Sequence, residues 1–345
     1  MKMDKIIAYN YNNISFEYTN HGVKTTPNFL IPENVYKFYS LSSRSFDALD
    51  ENYLYASHPY ELNDSFDTSD KILNFKEVEI AFFRGFFKIY LKEKYCEKDI
   101  IENYKKDKLQ NFREFRETFV SSLSNKMGTI SLTNKLKNPL MWSHYTSEKG
   151  FCIEFETDKL LNQDKIINGD IKNVFFRPMQ YVDEIQLLKI TGKEFTGITV
   201  PFLYMTTVKS REWEYENEYR LNIYKKDMNV PFNKKYAHLP AHTGVNNRYF
   251  RYKSSAIRSI ILGQNFLTNN YIKINNGILE IEINQESVFL ENFINLLFEK
   301  YNDKIYIIGE TQENNLLQKG IQRIFFERIK LNKFRIFETE EKYLL

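Results

Sequence analysis

The sequence predicts an α+β protein with a mixed or split β-sheet core, an inserted helical hairpin and C-terminal helices. Strand patterns lie on both sides of a helical block at 74–125 instead of alternating with single helices, which argues against a doubly wound fold. Aromatic residues make up 16% of the chain, with 24 Tyr and 29 Phe, a content typical of broad packed faces. No repeat or low-complexity linker interrupts the 345 residues, so we expect a single domain over 1–345.

The first 30 residues are polar and irregular, which indicates a weakly ordered lead-in or an edge hairpin. Strands are predicted at 35–39 and 53–56, with a short helix between them. The stretch LNDSFD at 62–67 is rich in side chains that accept hydrogen bonds from nearby amides, so it predicts a turn. From 74 to 125 apolar residues recur every three or four positions, which predicts the helical hairpin.

Strand patterns return after this block, in GTISLTN, GFCIEFE, TVPFLYMTTV, YRLNIYK and RSIILGQNF. The extension at 286–345 is predicted as helix, strand and helix. Its last helix, at 315–334, carries interleaved basic and aromatic residues on an amphipathic pattern.

Composition excludes several classes of protein. A net charge of +3 is too small for a wide field that would attract nucleic acid. The two cysteines argue against a disulfide scaffold and a structural zinc site, and we predict no metal. The 12 glycines form neither GxGxxG nor GxxxxGK[ST], the usual phosphate-binding loops. The first residues lack a signal-peptide core and no apolar run spans a bilayer, so we expect a cytoplasmic protein without a membrane partner.

The segment NPLMWSHYTSEKGFCIEF holds the first candidate site. Alternation places Phe151, Ile153 and Phe155 on the core face of a strand, with a thiol and two carboxylates opposite. Trp142, His144 and Tyr145 precede that strand, where a turn could direct them into a cleft. The alternative stays open that the tryptophan and tyrosine are core anchors and the histidine is structural. A nucleophilic Cys152 is disfavoured, because acidic neighbours oppose the thiolate.

The segment KSREWEYENEYRLNIY holds the second candidate site. We predict a turn through Glu214 and a strand from Glu218, which leaves Glu216 and Glu218 as paired carboxylates at the mouth of the strand. Glu218 is expected to project away from Tyr219, partly exposed beside a cleft, and Arg220 is a candidate binding residue. The alternative is a solvated charged face.

The turn LNDSFD is the third candidate. Asn63, Asp64 and Asp67 could bind a ligand, although a turn rich in Asn and Asp also forms without one.

LNDSFD, NPLMWSHYTSEKGFCIEF, WEYENEYRL and IRSIILGQNF together resemble a widespread bacterial domain family of unknown function, over residues 33–285. The usual wording there is LNDPFD, MWSHY followed by HKGFCIGFD, W.YE.EYRL and IILG. Ser65 stands where proline is usual, and Glu154 stands where glycine is usual, so its side chain could narrow a cleft. The resemblance brings no accepted activity.

The order of an aromatic first strand, a His/Tyr segment and a late Glu-x-Glu also resembles ADP-ribosyltransferases. That resemblance implies NAD as co-substrate, since a carboxylate stabilises the cationic ribosyl transition state. The catalytic residues it implies are Glu218, Glu216 and His144. The cofactor-binding residues assigned with them are Tyr39, Trp142, Tyr145, Asn63, Asp64 and Arg220.

Two functional hypotheses follow. The first is an NAD-dependent effector of a toxin or phage-defence system, which binds a small-molecule nucleotide and modifies a protein or nucleic-acid target. The second is a non-catalytic recognition module, whose aromatic surface and basic tail helix hold nucleic acid or a partner protein. A metal-independent nuclease built on Glu154, Glu156 and Lys149 is a third hypothesis.

Overall fold

The computed structural model describes residues 8–11, 14–19, 22–26, 29–64, 66–90, 96–162, 171–190, 199–225, 228, 246–268, 272–275, 280–283, 288–313 and 316–344. The helices in these residues are α1 (Ser43–Asp50), α2 (Ile80–Tyr90), α3 (Glu97–Leu109), α4 (Arg113–Ser124), α5 (Pro139–Thr146), α6 (Thr157–Leu161), α7 (Thr199–Thr207) and α8 (Val288–Tyr301). A 3₁₀ helix that matters for the site covers Arg211–Glu216.

The strands are β1 (Ala8–Tyr11), β2 (Ile14–Thr19), β3 (Gly22–Thr26), β4 (Asn34–Tyr39), β5 (Tyr53–Tyr55), β6 (Leu73–Asn74), β7 (Met127–Thr133), β8 (Phe151–Glu156), β9 (Ile171–Pro178), β10 (Gln180–Val182), β11 (Leu188–Lys189), β12 (Val208–Ser210), β13 (Glu218–Lys225), β14 (Tyr249–Arg251), β15 (Ile257–Leu262), β16 (Ile272–Asn275), β17 (Glu280–Ile283), β18 (Ile305–Glu313), β19 (Leu316–Lys330) and β20 (Lys333–Leu344).

Eleven of these strands form one sheet, in the order β16-β17-β20-β19-β18-β15-β8-β4-β7-β13-β9. β15 and β18 are parallel, and the other neighbours are antiparallel. Helices lie in a separate block and on the faces of the sheet rather than between successive parallel strands. The predicted α+β class with a mixed sheet is therefore confirmed.

The sheet splits between β4 and β7. These strands share one paired position, Tyr36 with Thr133. Continuing the antiparallel register would bring Phe38 opposite Ser131. Instead, Lys37 Nζ donates to the Ser131 carbonyl oxygen at 2.9 Å. A side-chain ammonium thus takes the position of a backbone donor, and the two strands part beyond it.

The two faces of the central strands are both covered. Phe151, Ile153 and Phe155 are fully buried on one face, against α8, as the alternation predicted. Cys152 points to the other face, where it is buried with Phe38 and with residues of α5. The thiol is thus part of the packing, while Glu154 and Glu156 on the same face of β8 are partly exposed.

The insertion at 74–125 contains three helices, so the predicted hairpin is wrong in its helix count. The helix that was missed, α3, is polar along most of its length. Asn111 and Phe112 have left-handed backbone angles that end α3 and begin a new direction. The buried Asp107 carboxylate then accepts hydrogen bonds from the backbone amides of Glu114 (3.0 Å) and Phe115 (2.8 Å), which cap α4.

Two further secondary-structure predictions are wrong. TVPFLYMTTV was expected to be a strand and forms α7, because it is buried on every side and leaves no periodicity that separates strand from helix. The tail predicted as a helix forms the β19–β20 hairpin. There Ile324 and Phe326 are buried while Phe325 and Glu327 are exposed, the two-residue period of a strand.

The remaining predicted elements are found close to their expected bounds. The strands at 35–39 and 53–56, the intervening helix, and the strands through GTISLTN, GFCIEFE, YRLNIYK and RSIILGQNF are confirmed. The first helix and the strand of the tail are confirmed as α8 and β18. The lead-in contains the antiparallel sheet β1-β2-β3. Among the described helices, none combines the length and apolar character needed to span a membrane.

Candidate functional site

A cavity of about 180 Å³ lies where β4 and β7 part. Its wall combines residues from both strands with the loop after β5, α5, β12 and the 3₁₀ helix. The charged, amide and aromatic side chains that line it include Tyr36, Lys37, Asn63, Asp64, Asp67, Tyr145, Lys209, Trp213, Glu216 and Glu218. Segments distant in sequence therefore meet at the split in the sheet.

Glu216 and Glu218 reach this cavity through a local change of backbone direction. Glu216 ends the 3₁₀ helix and Glu218 begins β13, with Asn217 between them at φ 45°. Asparagine tolerates this left-handed conformation better than most residues. The turn directs the two carboxylates to the same ammonium group. The turn and the start of the strand at Glu218 lie where they were predicted, whereas the ammonium group was not predicted.

That ammonium group belongs to Lys209 on β12. Its Nζ lies 2.6 Å from Glu216 Oε2 and 3.1 Å from Glu218 Oε2, and 3.9 Å from Asp67 Oδ2. It also lies 4.8 Å from the centre of the Trp213 ring. In the described residues no group of three or more His, Cys, Asp or Glu could hold a metal ion. Lys209 supplies positive charge at the point where the three carboxylates converge.

Arg220 forms the buried base of the same network. Its guanidinium donates through Nε to Glu218 Oε1 at 2.7 Å and through Nη1 to Asp67 Oδ1 at 2.6 Å. A second bond joins Nη2 to Asp67, which completes a bidentate pair. The side chain is 0% exposed. Arg220 therefore fixes two carboxylates from segments about 150 residues apart.

We use the name cavity network for Asp67, Lys209, Glu216, Glu218 and Arg220. Burial acts to raise the pKa of Glu218, but Arg220 and Lys209 outweigh it and lower that pKa to about 2. Burial opposes the charge on both cations, yet the carboxylates raise the pKa values of Lys209 and Arg220. The network accordingly holds Glu218 ionised at neutral pH.

Helix α5 brings Tyr145 to this network. Asn138 caps the helix by accepting from the amide of Leu140 at 3.1 Å, with Pro139 in the first turn. Its side-chain amide also donates to the Tyr215 carbonyl, which ties α5 to the 3₁₀ helix. From the last turn, Tyr145 OH donates to Glu216 Oε1 at 2.6 Å. Burial, then the charge of Glu216, raises the pKa of Tyr145.

The loop after β5 supplies the opposite wall. Asp64 Oδ1 accepts from the amide of Phe66 at 2.9 Å, which forms the predicted side-chain-capped turn. The other oxygen, Asp64 Oδ2, is buried without a hydrogen-bond partner among the described residues. Asn63 is exposed beside it. Ser65 lies outside the described residues.

Six of the predicted site residues meet at the cavity: Asn63, Asp64, Asp67, Tyr145, Glu216 and Glu218. Arg220 lies behind them in the cavity network. The expectation of a partly exposed Glu218 is wrong, because the side chain is 4% exposed and held by two cations. Glu154, in the position where glycine is usual, accepts hydrogen bonds from Tyr36 OH (3.2 Å) and Ser259 Oγ (2.5 Å).

The other three predicted site residues have different surroundings. Tyr39 is partly buried and stacks on Phe151, with the ring centres 5.3 Å apart, so it packs against the core. Trp142 is buried and donates from its indole to the Leu136 carbonyl at 2.8 Å, as the core-anchor alternative supposed. His144 is exposed on α5, with its ring edge-on to Tyr215. Helix α5, which carries Trp142 and His144, contributes Met141 and Tyr145 to the cavity wall.

Sequence reasoning missed Lys37, Lys209, Trp213 and Tyr36 as site residues. A signal existed for Lys209, because paired carboxylates beside a strand require neighbouring cations and this lysine opens the same charged segment. No comparable signal marks Lys37, since a lysine in an alternating strand normally faces solvent.

Two glycines allow the chain to pass closely behind α5. A Cβ atom on Gly150 would lie 2.1 Å from the Tyr39 carbonyl oxygen, and one on Gly263 would lie 2.2 Å from that of Glu148. Both contacts are with backbone, so relief would require the strands to move. Close backbone packing therefore explains why glycine stands at these positions in GFCIEF and IILG.

Comparison with known protein families gives a match over part of the chain. Residues 141–221 match the family described as Protein of unknown function (DUF2971). This span runs from α5 to β13 and includes Tyr145 with four of the five residues of the cavity network. The predicted resemblance to a family of unknown function is confirmed over this span. No curated protein and no solved structure matches the chain.

Proposed function

We propose that the cavity binds the nicotinamide riboside end of NAD and cleaves the bond between nicotinamide and ribose. The observation that carries this proposal is the pair of carboxylates, Glu216 and Glu218, held together by Lys209 at an aromatic-lined cavity. Cleavage of an N-glycosidic bond develops positive charge on the ribose ring. Preorganised negative groups at that position lower the barrier, because they need not reorganise during the reaction.

The protonation state of Glu218 suits this leaving group. When the bond between ribose C1 and the pyridinium nitrogen breaks, its electron pair neutralises the ring, and nicotinamide departs without needing a proton. Glu218, with a pKa of about 2, cannot act as a general acid near neutral pH and remains an anion. Water, or a nucleophile on a target molecule, would then bond to C1. Glu218 would suit poorly a reaction in which it had to donate a proton.

The size and the lining of the cavity suit one end of the dinucleotide and not the whole molecule. Its volume of about 180 Å³ is below the roughly 300–1,000 Å³ of pockets for drug-sized ligands. Aromatic side chains from three segments, Tyr36, Tyr145 and Trp213, border it and could stack on a nicotinamide ring. The adenylate end would extend outside the cavity.

The test is titration of the protein with NAD by calorimetry, together with chromatographic measurement of nicotinamide release. We expect binding, and release that falls by about 100-fold or more in Glu216→Gln, which keeps the shape of the side chain and removes its charge. Glu216 is preferred to Glu218 because it is not bonded to the buried Arg220. Calorimetric binding should survive the substitution better than turnover.

Asp107→Asn is the matched control. It also removes a buried carboxylate charge, but at the start of α4 and away from the cavity. Its nicotinamide release should equal that of the wild type at temperatures where both are folded. Neither binding nor release by the wild type, or equal loss of release in both variants, would overturn the proposal.

A further inference from the structure

The two lysines of the cavity have contrasting environments. Lys209 Nζ is surrounded by carboxylates, with oxygens at 2.6, 3.1 and 3.9 Å. Lys37 Nζ instead donates to a neutral acceptor, the Ser131 carbonyl oxygen, at 2.9 Å. One amine is therefore held in ion pairs, and the other is held at the parting of β4 and β7 by a backbone carbonyl.

The charged groups around Lys37 do not return the pKa of its ammonium to the ordinary value. Burial lowers the pKa of its ammonium, and the opposing influence of Glu218, Glu216 and Cys152 does not compensate. The pKa of Lys209 is raised by its carboxylates. A larger fraction of Lys37 thus carries a free electron pair near neutral pH, which is the form that attacks carbonyl carbons.

We propose that Lys37 is a carbonyl-reactive amine, and that the cavity takes up a small hydroxylated aldehyde or ketone as an imine. The position of Lys37 on the cavity wall gives such a ligand access to Nζ. The hydroxyl preference comes from Asp64, which lines the same cavity and whose buried Oδ2 has no hydrogen-bond partner among the described residues. An unpaired buried carboxylate oxygen favours a ligand that donates a hydrogen bond to it.

The reaction balances without a further reagent. The Lys37 electron pair forms a C–N bond to the carbonyl carbon, and the carbonyl π electrons move to oxygen, which takes up a proton. The resulting carbinolamine loses that oxygen as water, together with a proton from nitrogen, and leaves the imine. The inference concerns the amine itself, so it stands whether or not NAD is the substrate of the cavity.

The experiment traps the imine in the full-length protein. Protein is incubated near neutral pH with glycolaldehyde and cyanoborohydride, which reduces an imine to a stable secondary amine, and modified lysines are located by peptide mass spectrometry. We expect Lys37 to be modified at least about tenfold faster than Lys209 and than the exposed Lys105, because burial leaves more of the Lys37 amine with a free electron pair. Equal rates at Lys37 and Lys105 would overturn the proposal.

Two variants and a second probe separate the parts of the inference. Lys37→Arg keeps a donor for the Ser131 carbonyl, so it should remain folded by circular dichroism and lose the rapid adduct at position 37.

Acetaldehyde resembles glycolaldehyde without the hydroxyl group, so it should react more slowly at Lys37 in the wild type. That difference should disappear in Asp64→Asn. Equal rates for both aldehydes in the wild type would overturn the assignment of hydroxyl recognition to Asp64.

Discussion

Two clusters of the same charged residue types occupy very different environments. In the cavity network, the side chains of Lys209 and Arg220 are 6% and 0% exposed. A second cluster joins β17 to the terminal hairpin, and we name it the hairpin cluster. It contains Glu280, Glu327, Lys333 and Arg335, with side chains 16–54% exposed. The bonds are of similar length, so burial is the main difference between the clusters.

This difference determines what each cluster contributes. Exposed ion pairs add little to stability, because water solvates the separated charges almost as well. Buried ion pairs rarely stabilise a fold more than apolar residues of equal volume would, yet breaking one leaves an uncompensated charge. A buried network of five charged side chains at a cavity is therefore better explained by the chemistry of a site than by stability.

Substitution of Arg220 should have the largest effect. Arg220→Met leaves Asp67 and Glu218 without their guanidinium, so we expect the free energy of unfolding to fall by about 3–5 kcal/mol. Urea denaturation followed by circular dichroism measures it. A loss below about 1 kcal/mol would mean that the remaining residues of the network compensate for the lost charge, and the contrast between the clusters would then fail.

Acid should weaken the cavity network next. The folded-state pKa of Glu218, about 2, lies below the ordinary value of 4.5, so the unfolded chain binds more protons in acid. This stabilisation is complete above pH 4.5 and is lost as the pH falls toward 2, by about 3 kcal/mol. Unfolding free energies measured across that range should show a shallower slope in Glu218→Gln. Parallel slopes in the two proteins would assign the acid sensitivity to other carboxylates.

Removal of one hydroxyl from the rim of the network should have an intermediate effect. Tyr145→Phe deletes the bond to Glu216, while Lys209 still pairs with that carboxylate. Because the accepting carboxylate is charged but Tyr145 is partly exposed, we expect the unfolding free energy to fall by about 1–2 kcal/mol. Thermal melts measure it, and a gain in stability would show that the hydroxyl is held there at a cost.

The hairpin cluster should show the smallest effect. Arg335→Met removes contacts to Glu280 and Glu327 on an exposed surface. The urea midpoint should stay within error of that of the wild type, and any small shift should vanish at high salt, which screens exposed charges. A loss as large as that of Arg220→Met would show that exposure does not separate the two clusters.

The C-terminal tail shows that a sequence with a helical apolar period can form a strand when other strands are available to pair with it. Its apolar residues fit a helical period in the sequence, but neighbouring strands were available to pair with it, and Ile324 and Phe326 became the inward face of β19. The basic helix assumed for the recognition-module hypothesis is therefore absent from the described tail. Arg328 contacts Glu299 at 2.9 Å, and Arg335 contacts Glu280 at 2.8 Å, so these cations are already paired.

Elements could be predicted from the sequence where a single physical constraint decided their structure. The alternation through β8 could be predicted because only one registration buries three large apolar side chains. The turn before β13 could be predicted because an extended strand would align several carboxylates. The start of α5 could also have been predicted, because Asn138 and Pro139 form a typical helix cap and first turn. A simple turn was predicted there instead.

The sequence by itself determined the α+β class, most central strands, and the two carboxylates at positions 216 and 218. Tertiary structure alone decided which groups surround them. Lys37 became a cavity residue because β4 and β7 part at Ser131, and Arg220 became buried because Asp67 arrives from a loop far away in the chain. Alternation specifies the face on which a side chain lies, but its solvation and pKa depend on segments that only folding brings together.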